Sequence, residues 1–509
     1  MQIRWLVMGV MCGLAITLVI GFAVVRPRSA PAALVTPSDA SVKNAEAARV
    51  VPGSQVHDVA LSADAVTATV GGREVQTWAF NGQVPGPQID ATVGDVIRAT
   101  VTNHLPQTLT VHWHGIAIRN DMDGVPNQTQ APIPTGGTFT YEFTVNHEGS
   151  YFYHSHVGVQ LDRGLYGALV IRPKQADPDR DAVVLLDDWT DGVGTDPDQL
   201  LAQLRPVGAS GTMGGMNHGA GSGMSGIGDM SGMNHGSANP RNPLGTDTVD
   251  LDYPLYLING KGSDNPSTIT AKQSETVRLR VINAAASTPF RVAVGSGPMT
   301  VVATDGYAVQ PVSTTSLVVG MGERYDVLVT APNTGATPIV ARVEGKSAQV
   351  MGVLRVDGTG SPNTAAAESG LTATPLSISA LHATEATTLP ARSPDVSYDV
   401  TLNGGMMGYD WSLDAPSING TTMPLHEGQR VRLALVNNTM MWHPMHLHGH
   451  TFQVITKAGN GPRKDTVAVP PMGRVVVEFD ADNPGQWMLH CHNIYHAEAG
   501  MMTTLSYVK

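Results

Sequence analysis

Three segments of this chain repeat one another, and their spacing restricts the fold more than any other feature. Ile97–Asn103, Val277–Asn283 and Val431–Asn437 are alternating, strand-like runs that each end at Asn. Each follows an Asn-Gly pair, at Asn81-Gly82, Asn259-Gly260 and Asn419-Gly420, and Asn-Gly is a strong turn signal. The repeats lie 180 and 154 residues apart. That is far above the period of a solenoid and suits three whole β domains. Composition agrees: 55 Gly and 34 Pro among 509 residues, with only 15% charged, favour many short elements joined by turns. The chain therefore reads as all-β, with domains at about 51–173, 180–358 and 372–509. Polar, Pro- or Gly-rich stretches at 173–181 and 359–370 divide them.

Other counts narrow the function. A net charge of −12 without basic runs argues against nucleic acid as a partner. Two Cys exclude a disulfide framework. Trp5–Val25 is uncharged over 21 residues, enough at ~1.5 Å per residue to cross a bilayer core of ~30 Å. Residues 1–28 thus read as a hydrophobic helix serving as membrane anchor, or as a signal segment cleaved near Ala30-Pro31-Ala32. Cys12 lies inside it and gains no role. Residues 29–50, rich in Ala, Pro, Ser and Val, read as a tether. Everything beyond would be extracytoplasmic, anchored to the cell membrane or exported.

One stretch breaks the repeat. Gly208–Asn239, near the start of the second domain, is rich in Gly, Ser, Met and His, with Met-Asn-His-Gly at 216–219 and again at 233–236. It cannot bury a core. Thioethers prefer Cu(I), so the insert reads as a soft-ligand sponge, with a tolerated low-complexity loop as the alternative.

Ten of the 18 His fall in four clusters: His112-Trp113-His114, His154-Ser155-His156, His443 with His446 and His448, and His490-Cys491-His492 with His496. On a strand, residues i and i+2 share a face, so each His-x-His presents two imidazoles side by side. Four such pairs point to metal rather than to core packing. His112 and His114 stand 9 and 11 residues after Asn103, and His446 and His448 stand 9 and 11 after Asn437. The same offsets in the middle domain hold Val292 and Val294. The outer domains therefore each supply four equivalent histidines and would face one another. The middle domain would be spacer and support.

Cys491 lies between His490 and His492, so its sulfur points to the opposite face and serves a second site. His443, His496 and Met501 are nearby. Two His, one Cys and a weak axial Met make the ligand set of a blue-copper electron-transfer site. The matching first-domain positions, Leu109, Ser155, Gln160 and Leu165, cannot form it.

With these motifs the chain resembles the multicopper oxidases over about residues 51–509. The carriers are His-Trp-His-Gly (112–115), Tyr-His-Ser-His (153–156), His-Pro-Met-His-Leu-His-Gly (443–449) and the run from His490 to Met501. The resemblance implies three cupredoxin-like Greek-key β-barrel domains and four copper ions. Type 1 copper would sit on His443, Cys491, His496 and Met501. Type 2 would sit on His112 and His446, and the type 3 pair on His114, His154, His156, His448, His490 and His492. The implied reaction passes electrons from Cu(I) or phenols through the edge of His496, then through Cys491 to His490 and His492, and reduces O2 to water. Asp123 and Glu498 are the candidate proton carriers. The Met-rich insert resembles that of bacterial copper-resistance oxidases, which suggests copper tolerance. Two alternatives are a surface copper-sequestering protein using the insert, and a copper nitrite reductase, which needs fewer His and fewer domains. His450, Trp113 and Trp442 read as packing, and His57, His104, His147, His382 and His426 as surface or loop. Met440, Met441, Met445 and Met472 read as core or rim packing beside the type 1 copper, with a Cu(I)-docking rim as the alternative.

Overall fold

A computed structural model describes residues 32–175, 180–205, 239–360, 362–457 and 459–509. The expected N-terminal helix, Cys12 and all of the Met/His-rich insert except Asn239 lie outside the described residues. Among the described residues no helix is long and apolar enough to cross a membrane.

Each of the three repeats builds two sheets that face one another. In the first, Arg73–Phe80, Val56–Val70, Val96–Asn103 and Thr138–Thr144 form one sheet. Ile89–Thr92, Tyr166–Arg172, Gly149–Ser155 and Val111–His114 form the other. The second and third repeats have the same plan with six- and five-stranded sheets. In all three the Asn-ended strand is central. It pairs in parallel with the opening strand of its repeat (Val56–Val70, Arg180–Trp189 and Val396–Asn403) and antiparallel with a later strand. Alternation explains the burial: Ile97, Ala99, Val101 and Asn103 face inward while Arg98 faces water.

The repeated Asn residues belong to the fold, not to the chemistry. Asn103 Nδ2 donates to the Gln107 and Ile133 carbonyls, and its Oδ1 accepts from Leu105 N. Asn283 does the same with Thr288, Val319 and Ala285, and Asn437 with Met441, Pro470 and Thr439. One buried amide thus satisfies three backbone groups at each strand end. The middle repeat, which has no His-x-His pair, keeps it.

Residues 32–50 are not a tether. Leu34 bridges Val508, Val35 N donates to Tyr507 O, and Lys509 N donates to Ala33 O. The helix Ala40–Ala47 buries Val42, and Glu46 Oε1 accepts from Thr144 N. The segment straps the third barrel to the first. Composition suggested flexibility, but one apolar face and edge pairing hold it down.

Candidate metal centres

Strand pairing brings the histidines together. Val111–His114 runs antiparallel to Gly149–Ser155 with His112 opposite His154. His443–Leu447 runs antiparallel to Gln486–Cys491 with His446 opposite His490 and Met445 opposite Cys491. The two copies face each other, and eight imidazoles from the outer barrels meet in one buried space.

The eight sort into three, three and two. His156, His448 and His490 have ring centroids 5.0–5.3 Å apart. His114, His154 and His492 are 4.8–5.9 Å apart. His112 and His446 bring their Nε2 atoms to 3.4 Å. Where a ring nitrogen is fixed by the protein, the other is left over. His112 and His446 give Nδ1 to the carbonyls of Asp123 and Asp465. His448 gives Nδ1 to Asp123 Oδ2 at 2.9 Å, and its Nε2 lies 3.0 Å from His490 Nε2. His154 and His490 bond their own chain through Nδ1. His114 gives Nε2 to Asp465 Oδ1 at 3.0 Å. The nitrogens without a partner are buried: His114 Nδ1, His154 Nε2 and both of His492.

Orphaned buried nitrogens are costly unless a cation takes them. The geometry suits one. Metal–imidazole bonds of about 2.0–2.1 Å at right to tetrahedral angles put two nitrogens about 2.8–3.4 Å apart. Burial pushes His114, His154, His156, His448 and His492 well below the ordinary histidine range and His490 down to about 3. They stay neutral, as ligands must.

The second centre lies on the other face of the same strand. Cys491 Sγ is 3.8 Å from His443 Nδ1 and 3.7 Å from His496 Nδ1, and the two nitrogens are 3.1 Å apart. A sulfur bond of about 2.3 Å and a nitrogen bond of about 2.05 Å at ~115° give about 3.7 Å between donors. Burial raises the Cys491 thiol, so it gives up its proton only to a cation. Met501 is fully buried, and its carbonyl accepts from Cys491 N. Thr439 Oγ1 stands 2.8 Å from His443 Nε2, and Asp250 Oδ2 accepts from His496 Nε2 at 2.7 Å. In the first barrel the equivalent Ser155 hydroxyl bonds Gln160 instead.

Two expectations need correction. His496 is 0% exposed, with Asp250 on its Nε2 and the Trp411 ring 4.3 Å away, so its edge is not open to a reductant. The middle barrel is more than a spacer. It supplies Asp250 to one centre, and at the other its Gly322 packs on His492 and His114, where a Cβ would come within 2.9 and 3.1 Å.

Asp123 is fully buried on His112 and His448, with Oδ1 3.3 Å from His112 Nδ1 and no hydrogen bond of its own. Glu498 lines a small cavity with His154, His156, His490 and His492, and burial raises its pKa. Asp465, Arg324 and Asp250 were missed, because only tertiary contact marks them. His450 is structural, bonding Tyr507 OH at 2.7 Å. His57 and His104 pair with Asp95 and Asp64 towards the surface. His147 instead stacks on Tyr307 of the middle barrel at 4.0 Å. Trp113 and Trp442 are buried packing, while Met440 and Met472 are exposed and Met441 and Met445 are not.

Comparison with known proteins agrees with this geometry. Family models described as multicopper oxidase match residues 63–176, 228–359 and 391–508. The chain is 42% identical to multicopper oxidase MmcO of Mycobacterium tuberculosis, over 95% of this chain and 92% of that one. It is 29% identical to copper resistance protein A of Escherichia coli, covering 87% and 91% of the two. The crystal structure of a laccase from Botrytis aclada superposes with a TM-score of 0.69 at 26% identity, covering 90% of this chain and 89% of that one.

Proposed function

The chain belongs to the multicopper oxidase family, and from that premise we propose that it oxidises cuprous ion, with phenols as a second class of reductant, at the expense of O2. Four Cu(I) lose four electrons, and O2 takes these with four protons to give two waters. In this reading His443, Cys491, His496 and Met501 hold type 1 copper, and His112 and His446 hold type 2. His114, His154, His156, His448, His490 and His492 hold the type 3 pair. Copper bound there supplies the one-electron chemistry and the binding of O2. The observation that carries the proposal is the convergence of eight imidazoles, with buried nitrogens left unpartnered.

The chain's own residues order the rest. Cys491 joins the two centres through a single peptide unit on either side. Asp123 holds His448 with one oxygen and turns the other to within 3.3 Å of His112 Nδ1, so its carboxylate spans two of the imidazoles. Glu498, from the opposite side, keeps its proton to higher pH than an ordinary Glu because it is buried. Both acids stand beside imidazoles of the cluster.

Cuprous ion is favoured by the rim. Met406, Met407, Met440 and Met472 are 40%, 103%, 77% and 56% exposed; the first two precede Tyr409 and Trp411, whose rings pack on His496, and Met440 follows Thr439, which touches His443. Met472 N donates to the carbonyl of Thr439, which also touches His443. Exposed thioethers suit a soft cation. Described residues on either side of the insert contact the third barrel: Arg205 bonds the Glu498 carbonyl, and Trp442 Nε1 donates to Thr248 O at 2.9 Å. These features support a role in copper tolerance.

The test is O2 uptake with Cu(I) and with a methoxyphenol, for the wild type, Cys491→Ser and a 208–239 deletion. Cys491→Ser should abolish the blue absorption and uptake with both reductants. Uptake retained by Cys491→Ser would end the oxidase reading, and unchanged Cu(I) oxidation in the deletion would end the insert's part in it. We place this activity outside the cytoplasm, from the uncharged run Trp5–Val25. A cytosolic pool on fractionation of cells making the full chain would contradict that.

A further inference from the structure

The middle barrel sends one charged side chain to the back of the histidine cluster. Arg324 is 0% exposed and touches all three barrels. Its Nε donates to Ser150 O of the first barrel at 3.0 Å, and Nη1 donates to Gly322 O of its own barrel at 3.1 Å. In the third, Nη1 and Nη2 donate to Asp465 Oδ1 and Oδ2 at 2.6 and 2.7 Å. This is a bidentate fork that Lys cannot reproduce. The Asp465 carboxylate then faces two imidazoles. Its Oδ1 accepts from His114 Nε2 at 3.0 Å and lies 3.4 Å from His446 Nδ1.

A second observation shows that the approach is built in. Gly115, directly after His114, has φ +86, and a Cβ there would stand 2.2 Å from Arg324 Nη2 and 2.8 Å from Asp465 Oδ2. No side chain at residue 115 is compatible with this guanidinium. The glycine of His-Trp-His-Gly leaves room for the middle barrel.

The consequence is a choice of tautomer. A carboxylate can only accept, so His114 carries its proton on Nε2 and turns a bare Nδ1 towards the cluster. That Nδ1 is buried and has no protein partner. We propose that Arg324 is a positioning residue for the O2-reducing centre: by fixing the Asp465 carboxylate it sets the tautomer of His114, and so decides whether the cluster takes its full complement of copper. The inference rests on the multicopper reading above.

Asp465→Asn separates this role from simple clamping of barrels. Arg324 donates only, so it would draw the Asn oxygen and turn the amide NH2 towards His114. His114 Nε2 would then accept, and its proton would move to Nδ1, where it blocks a ligand. Arg324→Lys keeps the charge and loses the fork. Copper per chain, electron paramagnetic resonance of the type 2 ion, and affinity by chelator competition should be measured after copper loading. The blue type 1 absorption in the same molecules reports folding of the third barrel. Both variants should keep that absorption and bind cluster copper about ten- to a hundredfold more weakly than wild type. Variants that keep it with wild-type cluster affinity overturn the inference. So does a loss of cluster affinity matched in both variants by an equal fall in the urea stability of the apo protein, which marks a mere clamp of the barrels. A wild type that binds no cluster copper would instead remove the multicopper reading itself.

Discussion

Gly322→Ala tests whether the middle barrel closes the cluster. Gly322 has φ +81, and an added Cβ would meet His492 Cδ2 at 2.9 Å, His492 Cγ at 3.0 Å and His114 Cε1 at 3.1 Å. The left-handed backbone costs an L-residue about 1–2 kcal/mol, offset by about 0.4–1 kcal/mol from the stiffer unfolded chain. The contacts add about 1–3 kcal/mol, because neither buried ring can retreat. Gly335 separates the two effects. It lies in the same barrel with φ +75 and nothing within 4 Å of its Cβ position. Urea denaturation of the apo proteins should therefore show Gly335→Ala within about 1.5 kcal/mol of wild type and Gly322→Ala a further 1–3 kcal/mol lower. On copper loading, Gly322→Ala should lose cluster copper and keep the blue absorption. Equal stability of the two variants, or full cluster loading of Gly322→Ala, would refute the reasoning.

Asn283→Ala should cost about 2–4 kcal/mol in the same assay, because one buried amide satisfies three backbone groups; a loss under 1 kcal/mol would contradict the clamp. The apo protein should weaken in mild acid. Burial holds His114, His154, His156, His446, His448, His490 and His492 below the ordinary range. Between their folded values and about 6.5 the unfolded chain binds more protons, so each can remove about 1.4 kcal/mol per pH unit as pH falls. Asp188 and Asp305, raised by burial to about 6, act in the opposite sense below that pH. The urea midpoint should thus fall between pH 7 and 6, and a flat profile there would contradict the burial argument. Met440→Leu with Met472→Leu should raise KM for Cu(I) several-fold and leave a methoxyphenol unaffected; equal effects on both would remove the rim's selectivity.

What the sequence disclosed is what local rules govern. Strand parity put His112 with His114, and opposed Cys491 to His490 and His492, with no tertiary information. The spacing from Asn103 and Asn437 identified the outer repeats as partners. Asp465, Arg324 and Asp250 escaped because their meaning arises only on docking. Asp465 meets His114 from 351 residues away, and Asp250 meets His496 from 246. An Arg in an alternating strand looks like any solvent-facing residue until another barrel covers it. The strap over residues 32–50 was misread for a related reason. Ala and Ser there suggested flexibility, and only the far end of the chain supplies Val508 as partner for Leu34.

The peptide at Cys491 links two centres of unlike construction. One draws its imidazoles and its sulfur from the third barrel alone, and its separation from the other is set by covalent bonds that interdomain breathing leaves unchanged. The other is divided between barrels whose contact must form first. Maturation should therefore be ordered in time: a chain with its third barrel folded but its interfaces open would turn blue before it can consume O2. Slow copper filling after rapid colour, with a lag that lengthens as interdomain contacts weaken, is the kinetic trace of that order.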